Sequence, residues 1–300
     1  MTTHNPIPRS GSPISYQGLI DDAKQILYST SNTPRIDAEI LLQHAIGQQL
    51  SWLIAYGDCI ASAEHVKTFY GLVSKRQQGQ PIAYLIGQRD FWTVTLAVNE
   101  NVLIPRPDTE ILIEASLQLL QSNETKNTPL NILDLGTGSG AIALSLAKER
   151  ENANVTAVDF SSSALDIAKS NAHTNNINNV EFFQSDWFSA LDEGQQFDLI
   201  ASNPPYIDET DPHLQQGDVR FEPISALTAK HKGLADLDLI IRTAPKFLKN
   251  NSWLIVEHGY NQAEPVAQLF KDNGFEHVSL HHDLNNLPRC TAGKWLGKHT

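Results

Sequence analysis

The sequence predicts an α/β protein in which a mainly parallel sheet carries helices on both faces. A small N-terminal helical bundle precedes the sheet, and a β-hairpin joins the two. From residue 132 onward, apolar runs of strand length alternate with amphipathic runs of helix length, a pattern typical of parallel sheets covered on both faces. Before residue 80 the apolar residues recur only at helical spacing. Between these regions, residues 91–98 are rich in the β-branched and aromatic residues that favour strands.

Three amphipathic runs predict helices near residues 20–27, 38–46 and 65–76. Gly47 follows the second run directly, as expected of a residue that ends a helix in the left-handed conformation. Short helices joined by short links favour a bundle. We therefore assign residues 1–83 to an N-terminal helical domain, residues 84–106 to a β-hairpin connector and residues 107–300 to the α/β domain.

The connector is predicted to contain the strands Phe91–Val98 and Val102–Ile104, with a turn at Asn99–Asn101. Pro105 and Pro107 then stiffen the approach to a helix that begins near Asp108, since acidic residues suit a helix N-terminus. A polar linker is predicted at residues 121–128.

The α/β domain is predicted to alternate regularly between strands and helices, so the carboxyl ends of its parallel strands should lie together and bind the ligand. The predicted strands are Ile132–Leu135, Val155–Val158, Val180–Phe183, Phe197–Ser202 and Trp253–Val256, with closing strands Val278–Leu280 and Cys290–Leu296. The predicted helices are Ala141–Arg150, Ser163–Asn175, Leu234–Leu248 and Gln262–Asn273.

Composition narrows the class of function. The chain has 300 residues, a formal net charge of −12 and only two cysteines, which lie far apart. This disfavours a disulfide framework or a zinc site and fits a reducing cytoplasm. The acidic balance disfavours binding of long nucleic acid, which needs a basic surface. The polar N-terminus shows no secretory signal, and the sequence lacks the roughly 20-residue apolar run of a membrane helix.

A glycine-rich loop follows the first strand of the α/β domain, with the sequence Asp134-Leu-Gly136-Thr137-Gly138-Ser139-Gly140. Glycines let a backbone turn sharply and approach a ligand closely, and the helix after the loop offers free N–H groups. The spacing G-x-G-x-G differs from the dinucleotide fingerprint. Asp134 would oppose a pyrophosphate but could accept a hydrogen bond from an ammonium group. The alternative is a plain tight turn.

Acidic residues also end the next two strands. Asp159 follows the second strand, where a carboxylate can accept both hydroxyls of a ribose; the alternative is capping of the next helix. Asp186 and Trp187 follow the third strand, where a carboxylate can accept from an exocyclic amine and an indole can cover a purine. Their alternative is a half-buried tryptophan beside a solvated aspartate. Together the three motifs describe a nucleoside pocket with a site for an ammonium group.

The stretch Asn203-Pro204-Pro205-Tyr206 ends the fourth strand. Neither proline can continue a central strand, and a residue before proline is held extended. Asn203 and the Pro204 carbonyl therefore form a stiff set of acceptors beside an aromatic ring, suited to a planar NH₂ group. The alternative is a proline turn.

These motifs resemble those of class I S-adenosylmethionine-dependent methyltransferases, and Asn203–Tyr206 resembles the subset that methylates a planar nitrogen. Further stretches resemble the peptide chain release factor N(5)-glutamine methyltransferases along nearly the whole chain. The family usually carries a glycine after the Asp-Leu of the C-terminal loop, where this chain has asparagine. The stretches that carry the resemblance to this glutamine methyltransferase family are Gln80–Gly87, Phe91-Trp92, Val102–Glu110, Arg220–Pro223, Ala226-Leu227, Asp283 and Arg289.

The resemblance implies a methyltransferase-type Rossmann-like domain and a helical domain that recognises substrate. It implies methyl transfer from S-adenosylmethionine to the glutamine of the Gly-Gly-Gln motif in class I release factors, which modulates translation termination. Asn203 Oδ1 and the Pro204 carbonyl would then hold the amide, with Tyr206 packed against it. The expected cofactor ligands are Asp134, Gly136, Thr137, Gly138, Ser139, Gly140, Asp159, Asp186, Trp187 and Asn203.

The resemblance further suggests a monomer. From composition we expect a cytoplasmic protein that does not bind nucleic acid or membranes, and from the transfer chemistry we expect no metal. Pro205, Arg106 and Glu222 are expected to contact the substrate, although a structural salt bridge is the alternative for Arg106. His281, His282 and Asp283 are interpreted as a surface cluster. The alternatives for function are an adenine-N(6) methyltransferase acting on nucleic acid, a regulatory protein that binds S-adenosylmethionine without turnover, and a nicotinamide dehydrogenase.

Overall fold

The computed structural model describes residues 13–121 and 129–297. Most of the predicted polar linker, like the first part of the N-terminal domain, therefore lies outside the described residues. The chain divides into two compact units, one formed by residues 1–87 with 215–221 and the other by residues 88–214 with 222–300. Among the described residues, no helix is both long enough and apolar enough to cross a membrane.

The helical unit is built around a core of aromatic and aliphatic side chains from several helices, among them Leu19, Leu41 and Phe69. Ser15 accepts a hydrogen bond from the Gly18 amide and so caps the first helix. The sequence missed the third and fifth helices, which are short. The helices are α1 (Tyr16–Leu27), α2 (Pro34–Ile46), α3 (Leu50–Tyr56), α4 (Ala63–Gln77) and α5 (Ile82–Ile86).

Residues 215–221 belong to the helical unit although they lie far along the chain. Arg76 forms ion pairs with buried Asp37 (2.7 Å) and with Asp218 (2.8 Å). The Arg220 guanidinium donates a hydrogen bond to the Gln78 carbonyl. The sequence did not predict this inserted segment, because its contacts join residues about 140 positions apart.

The predicted hairpin is present, but its strands were placed wrongly. The strands are β1 (Gln88–Phe91) and β2 (Val94–Ala97), and they pair in antiparallel register with Phe91 opposite Val94. The turn lies at Trp92, whose φ of 51° is left-handed, whereas residues 102–104 form no strand. Since aromatic residues favour strands, the pattern concealed this turn.

The second unit contains a seven-stranded sheet in the order β10-β11-β9-β6-β3-β4-β5. β3, β4, β5, β6 and β9 are parallel, while β10 and β11 close one edge in antiparallel pairing. The strands are β3 (Asn131–Leu135), β4 (Asn154–Asp159), β5 (Val180–Gln184), β6 (Phe197–Ser202), β9 (Leu248–Glu257), β10 (Glu276–His282) and β11 (Pro288–Trp295), with a separate pair β7 (Ile207–Asp208) and β8 (Thr228–Ala229).

Helices flank this sheet, and apolar side chains from strands and helices, such as Leu133, Ile200 and Ile240, form its core. The predicted helix Leu234–Leu248 is shorter in the structure because Pro245 cannot continue it. The helices are α6 (Glu110–Gln121), α7 (Ala141–Glu149), α8 (Ser162–Thr174), α9 (Lys230–Gly233), α10 (Ala235–Thr243) and α11 (Ala263–Asp272).

The strand order reverses direction between β3 and β6. The chain runs outward from β3 to β4 and β5 on one side and continues with β6 and β9 on the other. In open α/β sheets this reversal leaves a crevice at the carboxyl ends of the strands. The predicted site residues that follow β3, β4, β5 and β6 therefore meet at one edge of the sheet.

Candidate active site

A cavity of about 500 Å³ lies at the carboxyl ends of the parallel strands. Its volume is within the usual range for small-molecule sites. It brings together several predicted residues from four different strand ends. Its lining carries acidic side chains and, among the described residues, no lysine or arginine, so it suits a cationic ligand better than a phosphate. The predicted residues that line it are Gly136, Gly138, Asp159, Asp186, Trp187, Asn203 and Pro205.

The glycine-rich loop has the backbone shape that its sequence predicts. Gly136, Gly138 and Gly140 have φ values of 73°, 55° and 87°, which side chains with a Cβ rarely adopt. The amides of Gly136 and Thr137 both donate to the Val158 carbonyl at 2.9 Å, which ties the loop to β4. A Cβ atom at Gly138 would meet only open space, so the loop leaves room for a ligand.

Asp134 lies beneath this loop and is completely buried. Its Oδ2 atom accepts hydrogen bonds from the Thr137 hydroxyl (2.7 Å) and the Ala143 amide (3.1 Å). Its Oδ1 atom has no hydrogen-bond partner among the described residues. Burial raises the pKa of Asp134 to about 7, and the two hydrogen bonds only partly oppose that rise. A buried acceptor without a partner is costly, and a ligand ammonium group would satisfy it.

Thr137 and Ser139 form hydrogen bonds that hold the glycine-rich loop in place. Both are buried, and the Thr137 hydroxyl is occupied by Asp134. The Ser139 carbonyl accepts from the side chain of Asn171, which also bonds both the amide and the carbonyl of Ala97. Asn171 therefore links the loop to the hairpin, a role that the sequence did not reveal because an asparagine inside a helix carries no distinctive pattern.

Asp159 lines the cavity and also supports the loop. Its two oxygens accept hydrogen bonds from the Gly138 and Ser161 amides, each at 2.8 Å. Burial raises its pKa. The cap of α8 is Ser161, whose hydroxyl accepts from the Ala164 amide, so the alternative of Asp159 as the helix cap is wrong. Carboxylate oxygens have further lone pairs, which leaves Asp159 able to accept from a ligand.

Trp187 lines the cavity with its ring beside the glycine-rich loop. Its backbone is left-handed, with φ of 50°, and a Cβ atom at Gly136 would lie 3.4 Å from its ring. Its indole donates a hydrogen bond to the Asp236 side chain, while burial and the nearby Asp186 charge raise the pKa of Asp236. Asp236 and the 74% exposed Phe160 also line the cavity. The sequence missed both, although Phe160 follows Asp159 directly.

Asn203 lines the cavity on the β6 side. Its Nδ2 atom donates a hydrogen bond to the Thr109 hydroxyl at 3.3 Å, which leaves Oδ1 as the acceptor on the side chain. Pro204 is buried beside it and Pro205 lines the cavity.

Tyr206 points elsewhere: its ring packs against the apolar core and its hydroxyl donates to Glu257 at 3.1 Å. Burial and the Glu257 charge raise the pKa of Tyr206. Thr109 and Glu257 are further residues that the sequence did not reveal.

Arg106 and Glu222 pair with each other. The Arg106 guanidinium contacts the Glu222 carboxylate, and the Ile104 amide donates to the other Glu222 oxygen at 3.4 Å. Glu222 is buried, whereas the Arg106 side chain is 34% exposed. A buried carboxylate needs such partners, so this geometry matches the structural alternative for Arg106.

The interpretation of Asp283 as part of a surface cluster is wrong, because only 8% of Asp283 is exposed. It accepts hydrogen bonds from the amides of Asn285 and Leu287 and pairs with Arg289 at 2.9 Å. These bonds close the loop between β10 and β11. Asn286 adopts the left-handed conformation there, with φ of 60°, which asparagine tolerates well.

Comparisons with known proteins agree with this architecture. Residues 126–295 match a family model described as a methyltransferase domain, and residues 19–87 match one described as the PrmC N-terminal domain. The release factor glutamine methyltransferase of Aliivibrio fischeri is 44% identical over 284 residues, which cover 94% of this chain and 98% of the relative. That of Escherichia coli K12 is 45% identical over 282 residues, covering 94% and 99%.

Among solved structures, the hMettl16 catalytic domain superposes with a TM-score of 0.55 at 16% identity. The match covers 76% of this chain and 84% of that domain. At this identity the likeness supports the fold alone, and that fold is the Rossmann-like fold of class I methyltransferases.

Proposed function

This chain belongs to the release factor glutamine methyltransferase family, and we propose that it transfers a methyl group from S-adenosylmethionine to the glutamine of the Gly-Gly-Gln motif in class I peptide chain release factors. The acceptor atom is the side-chain amide nitrogen. The observation that carries the proposal is the position of Asn203, whose amide lies on an acidic cavity at the sheet edge with its nitrogen already bonded to Thr109.

The acidic lining of the cavity fits the cofactor, and the unpartnered oxygen of buried Asp134 lies under the glycine-rich loop that borders it. Asp134 Oδ1 would accept from the ammonium group, and Asp159 from the ribose hydroxyls. Asp186 would accept from the adenine amine while Trp187 covers the ring, and Asp236 holds the indole. The glycine-rich loop, from Gly136 to Gly140 and including Thr137 and Ser139, supplies the close backbone approach. When bound, S-adenosylmethionine supplies a methyl group on a positively charged sulfur.

Asn203 and Pro204 would activate the acceptor by orienting it. An amide nitrogen is a poor nucleophile because its lone pair is delocalised into the carbonyl. If Asn203 Oδ1 and the Pro204 carbonyl accept its two N–H bonds, the lone pair is directed at the methyl carbon and the charge that develops on nitrogen is stabilised. Stiff prolines hold these acceptors in place. The proton can leave after transfer, so no strong base is needed.

Other parts of the proposal follow from the family. A release factor as substrate implies a cytoplasmic enzyme that modulates translation termination, and we expect a monomer. The helical domain would help to bind the release factor. Contact of Tyr206, Pro205, Arg106 or Glu222 with the substrate stays a prediction, as does the absence of a metal and of direct nucleic-acid binding.

A methyl-transfer assay with labelled S-adenosylmethionine tests the proposal. The acceptors are a class I release factor, its variant with alanine in place of the Gly-Gly-Gln glutamine, and duplex DNA. We expect label on the wild-type release factor and none on the variant or DNA. Label on DNA would replace the proposal with the adenine-N(6) reaction, and cofactor binding without any labelled product would support the non-enzymatic alternative.

A further inference from the structure

Glu257 is the last residue of β9, directly beside β6 in the sheet, and only 1% of it is exposed. Burying a carboxyl group without a cationic partner is costly. Arg289, whose charge acts on Glu257, instead pairs with Asp108 and Asp283, each at 2.9 Å. Glu257 Oε2 has no hydrogen-bond partner among the described residues. Stability alone therefore gives no reason for a glutamate at this position.

The partners of Glu257 are hydroxyl groups at the candidate site. The Tyr206 hydroxyl donates to Oε1 at 3.1 Å, and the Thr109 hydroxyl lies close enough to the carboxyl group to lower its pKa. Thr109 in turn accepts from Asn203 Nδ2 at 3.3 Å. A hydroxyl has one proton to donate, so a Thr109 proton committed to Glu257 leaves its lone pairs for Asn203.

A Thr109 proton directed at Glu257 would determine which way the Asn203 amide faces, since Thr109 could then only accept from Asn203. The two ends of an asparagine amide have similar shapes but opposite hydrogen-bonding roles. With Nδ2 bound to Thr109, Oδ1 is the end left for a substrate N–H. In the flipped orientation the amide nitrogen would face the substrate NH₂ group, and two donors cannot bond each other.

The segment that follows Glu257 also hydrogen-bonds the backbone of Tyr206. Gln262, just before α11, donates one hydrogen bond to the Tyr206 carbonyl and another to the Lys232 carbonyl, both at 3.0 Å. Its own carbonyl accepts from the Gly259 amide at 2.8 Å. The residues from Glu257 to Gln262 thus bond both the side chain and the backbone of Tyr206.

We propose that Glu257 is a positioning residue for methyl transfer: through Thr109 it orients the Asn203 amide with Oδ1 toward the acceptor, and through its own carboxylate it anchors Tyr206. This inference rests on the proposed function of Asn203. It assigns Glu257 no contact with the substrate or the cofactor.

The test compares kcat with cofactor affinity in variants of the full chain. Glu257→Gln keeps the side-chain volume but adds a donor that competes for the Thr109 lone pairs. Thr109→Val removes the hydroxyl and keeps the shape. We expect each to lower kcat roughly 10- to 100-fold, the scale of a misoriented reacting group, with an unchanged Kd for S-adenosylhomocysteine. Thr109→Ser restores the hydroxyl and should recover most of the rate.

The double variant Thr109→Val/Glu257→Gln should be no slower than the slower single variant, since both changes break the same chain of bonds. Fully multiplicative losses, or wild-type kcat in Glu257→Gln, would overturn the inference. Exposed Glu264→Gln, on the next helix, is the matched control with expected wild-type kinetics. A double-mutant cycle of Glu257→Gln and Tyr206→Phe, measured by unfolding free energy, tests the Tyr206 contact without a release factor. It therefore stays informative even if the wild-type enzyme labels no release factor. That failure to label would refute the proposed function and not this contact.

Discussion

A carboxyl group lies buried near each end of the candidate site, and the two groups share burial, an unpartnered oxygen and a raised pKa. Asp134, at the cofactor end, and Glu257, at the amide end, are both almost fully buried, each with one unpartnered oxygen. Burial raises the pKa of each to about 7. Their surroundings differ: a backbone amide and a loop hydroxyl donate to Asp134, whereas the Tyr206 hydroxyl donates to Glu257 and the nearby Thr109 hydroxyl lowers its pKa.

This difference indicates two kinds of work. The partners of Asp134 belong to one loop and the helix that follows it, and we propose that its unpartnered oxygen receives the positive charge of the ligand. The groups near Glu257 come from separate elements, and one of them, Thr109, accepts a hydrogen bond from Asn203, so we propose that Glu257 acts on orientation. The two ends should therefore separate in experiment, one governing cofactor affinity and the other governing turnover.

The largest expected effect comes from Asn203→Ala, which removes the acceptor at the amide end. We expect kcat to fall by about 100- to 1000-fold, comparable to loss of a donor from an oxyanion hole, with cofactor affinity nearly intact. Single-turnover labelling of a release factor together with calorimetry of cofactor binding measures both. Turnover at the wild-type rate would show that Asn203 does not orient the amide.

Asp134→Asn should have the next largest effect, at the other end. Loss of a charged hydrogen bond to the ligand ammonium is worth about 1.5–3 kcal/mol, which corresponds to roughly 10- to 100-fold weaker cofactor binding. At saturating cofactor kcat should stay near the wild-type value, because the amide end is unchanged. Equal losses in affinity and kcat would contradict the separation of the two ends.

Asp159→Ala should weaken cofactor binding by about tenfold, through lost ribose hydrogen bonds of ordinary strength. The loop would also lose its tie to the Gly138 amide. Exposed Asp166→Ala, on the following helix, provides a control that keeps both. Unchanged affinity by titration calorimetry would show that the ribose assignment is wrong.

The smallest expected effect is on pH dependence. Burial raises the pKa of Asp134 from its ordinary value of 3.8 to about 7 in the folded protein, so in the absence of ligand folding favours the protonated form. Its contribution to stability is complete below about pH 4 and is lost as pH rises through 7. A cationic ligand instead prefers the carboxylate, so cofactor affinity should rise severalfold between pH 6 and 7.5.

Comparison of the wild type with Asp134→Asn separates this group from others that titrate in the same range, Glu257 included. The variant should show a flatter dependence of affinity on pH. Its thermal stability without ligand should also fall less than that of the wild type between pH 5 and 8. Parallel profiles in the two proteins would mean that Asp134 is not the titrating group.

Much of the fold was predictable from periodicity, because an alternating series of strands and helices permits few arrangements. The strands β3 to β6 lie close to their predicted positions, and the glycine spacing indicated the loop conformation. The sequence pattern missed the hairpin turn at Trp92, because an aromatic residue next to β-branched residues favours a strand. It also missed the start of β9 at Leu248, because the helical pattern of apolar residues continues up to that position.

The sequence by itself determined the residues whose roles follow from adjacent positions. Asp134 with its loop, Asp159 at the end of β4 and Asn203 before two prolines are each specified by a few consecutive residues, because backbone conformation is a local property. Only the tertiary structure decided which side chains from other elements contact them. Thr109 ends a short 3-10 helix, Asp236 lies in α10 and Glu257 ends β9. These elements are distant along the chain, and the fold alone brings them to the site, so no local pattern records their proximity.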